Sequence, residues 1–386
     1  MKVFILAGEP SGDRLGGALM AGLKTLQPDV RFEGIGGPMM TAEGLVSRFD
    51  MSELSVMGIA EVLPKYRALK ARIAQTAQAV LDQKPDVLIT IDSPDFSLRV
   101  AKIVRQNSSI RTVHYVAPTV WAWRPGRAAK MARWIDHVLA LFPFEPPYME
   151  AAGMDCDFVG HPVVAEPQAS AEGAAAFRAQ SGIGAAPLLL VLPGSRRGEV
   201  ARLAPTFGAA VTRLVAARPD LRVVVPAAAP VATMVKAATQ DWAGAPLVLD
   251  PSAMPADTFA ALKRAAFRAA DTALAASGTV SLELAAAGTP MVIAYDMNWL
   301  SRLIISRMVR VDTFTLVNLV SDTRVVPEFI GRRCTADLVS QGVLEVMADP
   351  SAQTEAMALT MERLGAGGEA PGLRAARAVL ARMNTR

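Results

Sequence analysis

The sequence predicts an α/β protein built from two tandem doubly wound, Rossmann-like domains with C-terminal helices. Three observations carry that prediction. Short Val/Ile/Leu runs alternate with longer stretches of helical period, as in parallel βαβ units whose strands are covered on both faces. The alternation breaks around residues 164–187, where Ala, Glu, Pro, Gln, Ser and Gly dominate, and then restarts. Finally, 386 residues are enough for two domains that each bury a core.

In the first half, Val3-Phe4-Ile5-Leu6, Val87-Leu88-Ile89-Thr90, Thr112-Val113-His114-Tyr115-Val116 and Val138-Leu139-Ala140-Leu141 read as buried strands. In the second half the strands are 188–192, Arg222-Val223-Val224-Val225, Leu247-Val248-Leu249, Ala273-Leu274-Ala275 and Met291-Val292-Ile293-Ala294. From about residue 335 only helical periodicity remains, with Leu373, Ala376, Leu380 and Met383 on one face. The expected boundaries are 1–165, 166–340, and 341–386 for helices that cap or bridge the domains. Ligands of open parallel sheets sit beyond the carboxyl ends of the strands, where the strand order switches direction. The chemistry is therefore expected in loops of both halves, around a cleft between them.

Composition excludes several classes. No run of about 20 residues lacks a charge or a turn residue, so no transmembrane helix is expected. The opening MKVFILAG stops at Gly-Glu-Pro-Ser-Gly without a small-residue cleavage site, and reads as a first strand of a cytosolic protein rather than a signal peptide. Cys156 and Cys334 are too few for a disulfide framework or a cysteine zinc site, and read as isolated core thiols. A net charge of +4 and a pI near 9.2 suit phosphates or an anionic membrane surface, phosphates more clearly. No basic run interleaves with aromatics and no zinc-finger spacing occurs, so no nucleic-acid partner is expected.

The first strand runs into Gly8-Glu9-Pro10-Ser11-Gly12-Asp13 before a helix. Glycines at a helix start let backbone approach a phosphate or a sugar. Alternatively, the loop is an ordinary turn capped by Ser11 or Asp13. The dinucleotide G-x-G-x-x-G and the P-loop Gly-Lys-Ser/Thr are both absent, which counts against a nicotinamide oxidoreductase. A second loop, Ile91-Asp92-Ser93-Pro94-Asp95-Phe96, offers two carboxylates. Either can act as a general base or cap the following helix. Asp92 is favoured as the base because it ends the strand.

The second domain opens with Leu192-Pro193-Gly194-Ser195-Arg196-Arg197-Gly198-Glu199, a strand–Gly–Ser–helix turn with arginines added. Gly194, Ser195 and Arg196 would present backbone donors, a hydroxyl and a bidentate guanidinium to a diphosphate; otherwise this is a solvated basic turn. Ser277-Gly278-Thr279 forms another hydroxyl and N–H cradle, and Glu283 lies one turn into the next helix, able to accept from ribose hydroxyls. His114, His137 and His161 are unpaired in sequence and no HExxH occurs, so neither a metal nor a cofactor is expected. His161 lines the cleft or serves the core or a hinge.

Two stretches have a basic amphipathic character. In 56–73, Ile59, Val62, Leu63, Tyr66 and Ile73 share a face beside Lys65, Arg67 and Lys70, with Pro64 expected to kink or restart the helix. In 296–311, Trp299, Leu300, Leu303, Ile304 and Met308 alternate with Arg302, Arg307 and Arg310. On residues alone both read as core packing with snorkelling arginines.

AGEPSGD (7–13), GIGGPMM and AEG (34–40, 42–44), VMGIAEVL (56–63), IDSPDF (91–96), HYVAPTVWAWRPGR (114–127), LFPFE (141–145) and FVGHP (158–162) follow one another in the first half. LPGSR (192–196), ASGT with LE (276–283), PMVIAY (290–295), LVNLV (316–320) and VPEFI (326–330) follow in the second. In this order, over nearly the whole chain, they resemble the lipid-A-disaccharide synthase family of glycosyltransferases.

The resemblance implies a glycosyltransferase-B fold and a reaction of lipid A, hence lipopolysaccharide, biosynthesis. UDP-2,3-diacylglucosamine is joined to 2,3-diacylglucosamine 1-phosphate, giving a β1→6 disaccharide 1-phosphate and UDP. Inversion at the anomeric carbon suits a single displacement assisted by a base. Asp92 and Arg196 match residues such enzymes depend on, and Glu9, in the first loop, is a further catalytic candidate and a more distant rival for the base. Asn318 and Glu328 match polar positions near the nucleotide. Ser11, Gly12, Asp13 and Asp95 fall on the acceptor side. The first domain would take the acceptor and meet the membrane, the second would bind the nucleotide sugar. With the resemblance, 56–73 becomes the membrane candidate, for a peripheral protein on the cytoplasmic face of the inner membrane; a homodimer is compatible with it. The sequence departs from the family at Pro10, where Thr is frequent, at Ala117, where Ser is common, and at Gly331, where Gln is common. The last change puts one nucleotide contact in doubt. The same-fold alternative is a UDP-sugar 2-epimerase, which needs no lipid acceptor.

Overall fold

The computed structural model describes residues 1–54, 59–297 and 311–383, with the backbone alone for 59–66. The chain divides into two units, Met1–Ala165 together with Leu364–Arg386, and Glu166–Arg363. The residues from 341 onward do not stand apart. Helices Ala336–Ala348 and Ser351–Arg363 belong to the second unit, and Pro371–Met383 belongs to the first. That last helix lies directly on helix Pro10–Leu26: a Cβ on Gly372 would come within 2.4 Å of the Ala18 carbonyl oxygen, and one on Gly22 within 2.6 Å of the Gly372 oxygen. Only glycine allows two helix backbones to meet this closely.

The first unit holds six parallel strands, β1 (Lys2–Ala7), β2 (Arg31–Ile35), β3 (Val87–Ile91), β4 (Arg111–Tyr115), β5 (His137–Ala140) and β6 (Asp155–Phe158), in the order β2-β1-β3-β4-β5-β6. The second holds β7 (Leu188–Leu192), β8 (Arg222–Pro226), β9 (Leu247–Leu249), β10 (Thr272–Ala276), β11 (Met291–Tyr295) and β12 (Glu328–Ile330), in the order β12-β11-β10-β7-β8-β9. Three of these strands, β2, β6 and β12, were not anticipated. Each is a sheet edge, and each alternates or is short: Arg31-Phe32-Glu33-Gly34-Ile35 and Asp155-Cys156-Asp157-Phe158 mix charge with apolar residues because an edge is only partly covered. Central strands such as β3, β7 and β10 read as near-continuous apolar runs because both their faces are buried.

Helix Ile59–Gln83 continues across Pro64, where a kink or restart was expected. Ile73, expected on its membrane-facing stripe, is buried in the first unit. The side chains of 59–66, and the 298–310 part of the second amphipathic stretch, lie outside the described residues. No helix among the described residues is long and apolar enough to cross a membrane. Cys156 is buried and Cys334 half-buried, and the two form no disulfide.

The strand orders settle which loops are neighbours. In the first unit the direction of winding reverses between β1 and β3, and in the second between β7 and β10. At such a switch point the adjacent loops diverge and leave room for a ligand.

Candidate functional site

Two of the loops singled out in sequence meet at the first switch point. Ala7 pairs with Ile91, so the loop after β1 and the loop after β3 leave the sheet side by side. They touch at Gly8, where a Cβ would lie 2.5 Å from Ser93 Oγ. Strand β3 ends at Ile91, one residue earlier than expected, and Asp92 and Ser93 both adopt left-handed backbone, with φ of 47° and 45°. Two consecutive non-glycine residues in this region cost about 1–3 kcal/mol each and persist only where neighbours enforce them. One enforcing contact is the Asp92 N–H, which donates to the Tyr115 carbonyl on β4 at 3.0 Å.

The turn carries the half-buried Asp92 out of the strand, and among the described residues its carboxylate accepts no hydrogen bond. Neither carboxylate caps the next helix, Pro94–Asn107. The cap position belongs to Ser93, without a side-chain bond, and Asp95 is exposed in the first turn.

Asp13 and Gly12, expected on the acceptor side, are both engaged within the protein. Asp13 is 2% exposed. Its carboxylate accepts the N–H groups of Gly37 (2.7 Å), Met39 (2.9 Å) and Met40 (3.1 Å), capping helix Pro38–Ala42 from a distance in sequence. Gly12 is buried against Ala7 and Ile91, which brings the helix down onto the sheet. Ser11 is exposed, and the half-buried Glu9 is the helix N-cap residue, its carbonyl accepting from Asp13 N–H at 2.9 Å. By holding residues 37–40, Asp13 shapes a concavity of about 510 Å³ at the carboxyl ends of β1 and β2, lined by Pro10, Gly37, Pro38, Phe49 and Met51 among others.

The second switch point brings together the other two loops. Leu192 of β7 pairs with Ala275 of β10, so Gly194-Ser195-Arg196 and Ser277-Gly278-Thr279 emerge from adjacent strands. Arg196 precedes helix Arg197–Ala217 and its side chain is 67% exposed. The N–H groups of Ser195 and Arg196, expected to face a diphosphate, both donate to Glu199 Oε2, at 3.1 and 3.2 Å. Glu199 Oε1 accepts from the Arg196 guanidinium at 2.9 Å. The helix therefore supplies its own anion to its N-terminus, a carboxylate three residues in that reaches back to the cap. Gly278 and Thr279 are exposed and Ser277 is half-buried. Glu283 is paired with Lys263 at 2.6 Å, which leaves one of its oxygens for another donor.

Asn318 and Glu328, expected near the nucleotide, have their polar atoms taken up by the protein. Asn318 is buried; its amide donates to Thr313 Oγ1 and to the Val326 carbonyl, and its oxygen accepts from Val326 N–H. Glu328 accepts from the Thr313 hydroxyl and from the amides of Phe314 and Thr315. Together they tie residues 313–315 to the start of β12. Gly331 adopts φ of 63°, a conformation in which the glutamine common in the family would be strained.

The far side of the first sheet holds a polar feature that sequence reasoning left without a role. Glu145 is 2% exposed, accepting from the amides of Leu141 and Phe142 and from the Trp121 indole at 3.3 Å. Burial outweighs these bonds and pushes its carboxyl up to about 7. A glutamate closing an aromatic run, Leu-Phe-Pro-Phe-Glu, was the available signal. His114 and His161 are both buried, and desolvation lowers each to about 4, so both are neutral near pH 7. His161 Nδ1 accepts from Val163 N–H, and its own amide donates to the Leu364 carbonyl, which makes it a core residue.

Comparisons with known proteins agree with this arrangement. A profile of the lipid-A-disaccharide synthetase family matches residues 3–378. The chain is 67% identical to the lipid-A-disaccharide synthase of Ruegeria pomeroyi, across 99% of this chain and 96% of that one. It is 47% identical to the enzyme of the same name from Rhodospirillum centenum, across 98% and 94%. Among solved structures, it resembles UDP-GlcNAc 2-epimerase from Neisseria meningitidis bound to UDP-GlcNAc (TM-score 0.62, 12% identity, all of both chains). It also resembles MurG from Acinetobacter baumannii (TM-score 0.53, 14% identity, 100% and 99% covered). At these identities the solved structures speak to the fold of two Rossmann-like domains and not to the reaction.

Proposed function

The chain belongs to the lipid-A-disaccharide synthase family and is a glycosyltransferase, and we propose that it joins UDP-2,3-diacylglucosamine to 2,3-diacylglucosamine 1-phosphate. The products are the β1→6-linked disaccharide 1-phosphate and UDP. The observation that carries this reading is the carboxylate of Asp92, turned out of the sheet on a strained loop with no protein donor attached among the described residues. A carboxylate held in this way suits a general base.

Asp92 takes the proton of the acceptor's 6-hydroxyl as that oxygen attacks the anomeric carbon of the donor. The bond from that carbon to the UDP oxygen breaks on the opposite face, which inverts the configuration. Arg196, exposed and held by Glu199, meets the charge that grows on the leaving diphosphate. Ser277 and Thr279 add hydroxyls, Gly278 leaves room for close approach, and the free oxygen of Glu283 serves the ribose. The protein would work peripherally on the cytoplasmic face of the inner membrane, with the segment 56–73, apart from the buried Ile73, in the interface.

The test is UDP release from acylated and unacylated UDP-glucosamine, with and without a diacylglucosamine 1-phosphate acceptor. Release that requires both acylated partners supports the assignment. Formation of an epimerised UDP-sugar without acceptor would overturn it in favour of the same-fold epimerase chemistry.

A further inference from the structure

The loop after β4 carries an exposed cationic feature for which the reaction above has not yet accounted. Trp123 is half-buried, and its indole N–H is fixed to Thr119 Oγ1 at 3.0 Å. The Arg124 guanidinium lies 4.3 Å from the centre of its ring and that of Arg127 lies 5.6 Å away. Both arginines are exposed, and among the described residues no carboxylate pairs with either, nor with Lys130 or Arg133 nearby. Stacking on an indole orients a guanidinium without consuming its N–H donors, so both forks remain open to an anion.

The loop beneath is firmly built. Trp121 points inward to the buried Glu145 and packs edge-on against Phe144, with ring centres 5.1 Å apart. Arg124 itself is held in left-handed backbone, φ 51°, a strain that neighbouring structure must maintain. A loop fixed at its base, with two unpaired and oriented guanidiniums at its rim, is suited to a doubly charged phosphate monoester.

Its place in the sheet favours the acceptor's phosphate. Strand β4 is hydrogen-bonded to β3, with Ile91 opposite Tyr115, and the Asp92 amide bonds to the Tyr115 carbonyl. The cationic loop and the proposed base therefore leave neighbouring strands, about 4.8 Å apart at their roots. In the acceptor the 6-hydroxyl and the 1-phosphate flank the ring oxygen of one sugar, so a group that binds the phosphate must stand roughly a sugar ring from the base.

We propose that Arg124 and Arg127, stacked on Trp123, form the site for the acceptor's 1-phosphate. This rests on the reaction assigned above and adds to it the feature that selects a phosphorylated acceptor. The experiment compares diacylglucosamine 1-phosphate with the same lipid lacking the phosphate, for wild type and for an Arg124→Gln/Arg127→Gln variant. The variant should raise the KM for the phosphorylated acceptor about 10- to 100-fold. The KM for the donor and the rate on the phosphate-free lipid should stay at wild-type values.

Equal losses on both acceptors, or no loss on either, would overturn the site. Binding to phosphatidylglycerol vesicles separates the other source of the same chemistry: if the variant loses vesicle binding but keeps its acceptor KM in detergent, the arginines serve lipid headgroups and the proposal falls. A wild type that releases no UDP with either lipid would sink the assigned reaction instead. Even then, calorimetric binding of glucosamine 1-phosphate, present in wild type and lost in the variant, decides the site; no binding in wild type overturns it.

Discussion

Gly8 and Ser93 lie in loops after different strands yet pack so closely that a single methyl group on Gly8 would lie 2.5 Å from the serine oxygen. The contact locks the loop after β1 against the turn that presents Asp92. Gly8→Ala should therefore displace that turn while leaving the sheet intact, and turnover should fall about 100-fold, as for misplacement of a catalytic group by roughly 1 Å. Ser93→Gly removes the clashing side chain and relieves a left-handed backbone, so the double variant should recover most of the activity. Failure of Ser93→Gly to rescue would show that Gly8 acts by some other route.

Asp92→Asn should lower turnover by about 10²–10⁴-fold with little change in UDP affinity. Asp95→Asn and Glu9→Gln, measured beside it, should retain most activity, since Asp95 is exposed in a first helical turn and Glu9 is a cap residue. A larger loss in either would move the base to that residue. A parallel loss of UDP affinity in all three would mean that none of them is the base.

Arg196→Ala should cut turnover strongly without unfolding the protein. An ion pair as exposed as Arg196–Glu199 contributes at most about 1 kcal/mol to stability, whereas the role proposed for Arg196 at the leaving group depends on charge that grows in the transition state. Near wild-type turnover in this variant, with an unchanged melting temperature, would remove Arg196 from the mechanism.

Asn318→Ala should act on stability. It would leave the Val326 amide and carbonyl without their partner in a buried setting, at about 1–3 kcal/mol for each such group. A lowered melting temperature with unchanged UDP affinity of the folded protein is the expected result. Lost affinity at an unchanged melting temperature would restore Asn318 to the nucleotide.

Acid should destabilise the first unit through its histidines. His114 and His161 sit near 4 in the folded protein and near 6.5 when exposed. The unfolded chain therefore binds more protons between these values, and stability falls as the pH drops from about 6.5 towards 4. The contribution is on the order of 3 kcal/mol per histidine. Glu145 runs the other way: raised to about 7, it loses stability as the pH climbs from about 4.5. His114→Gln should flatten the acid limb of a melting-temperature profile, and an unchanged limb would show that other groups dominate it.

The sequence by itself determined the α/β class, the central strands and the four loops that gather in pairs at the two switch points. Continuous apolar runs such as 188–192 report burial on both faces, and glycine with serine after a strand reports a turn into a helix, whatever the rest of the chain does. It could not show β2, β6 or β12, because an edge strand is half solvated and its pattern is weak. Nor could it separate a carboxylate that no described residue engages from one closed over by the chain. Asp92 and Asp13 both follow a strand in a Gly/Ser/Pro-rich loop, yet one is turned outward while the other is closed over three distant amides. The same holds for Asn318, Glu328 and Glu199, whose partners are fixed by where loops come together. The strand order decided which of those loops are neighbours, and hydrogen-bond partners brought together from distant parts of the sequence leave no local periodicity to read.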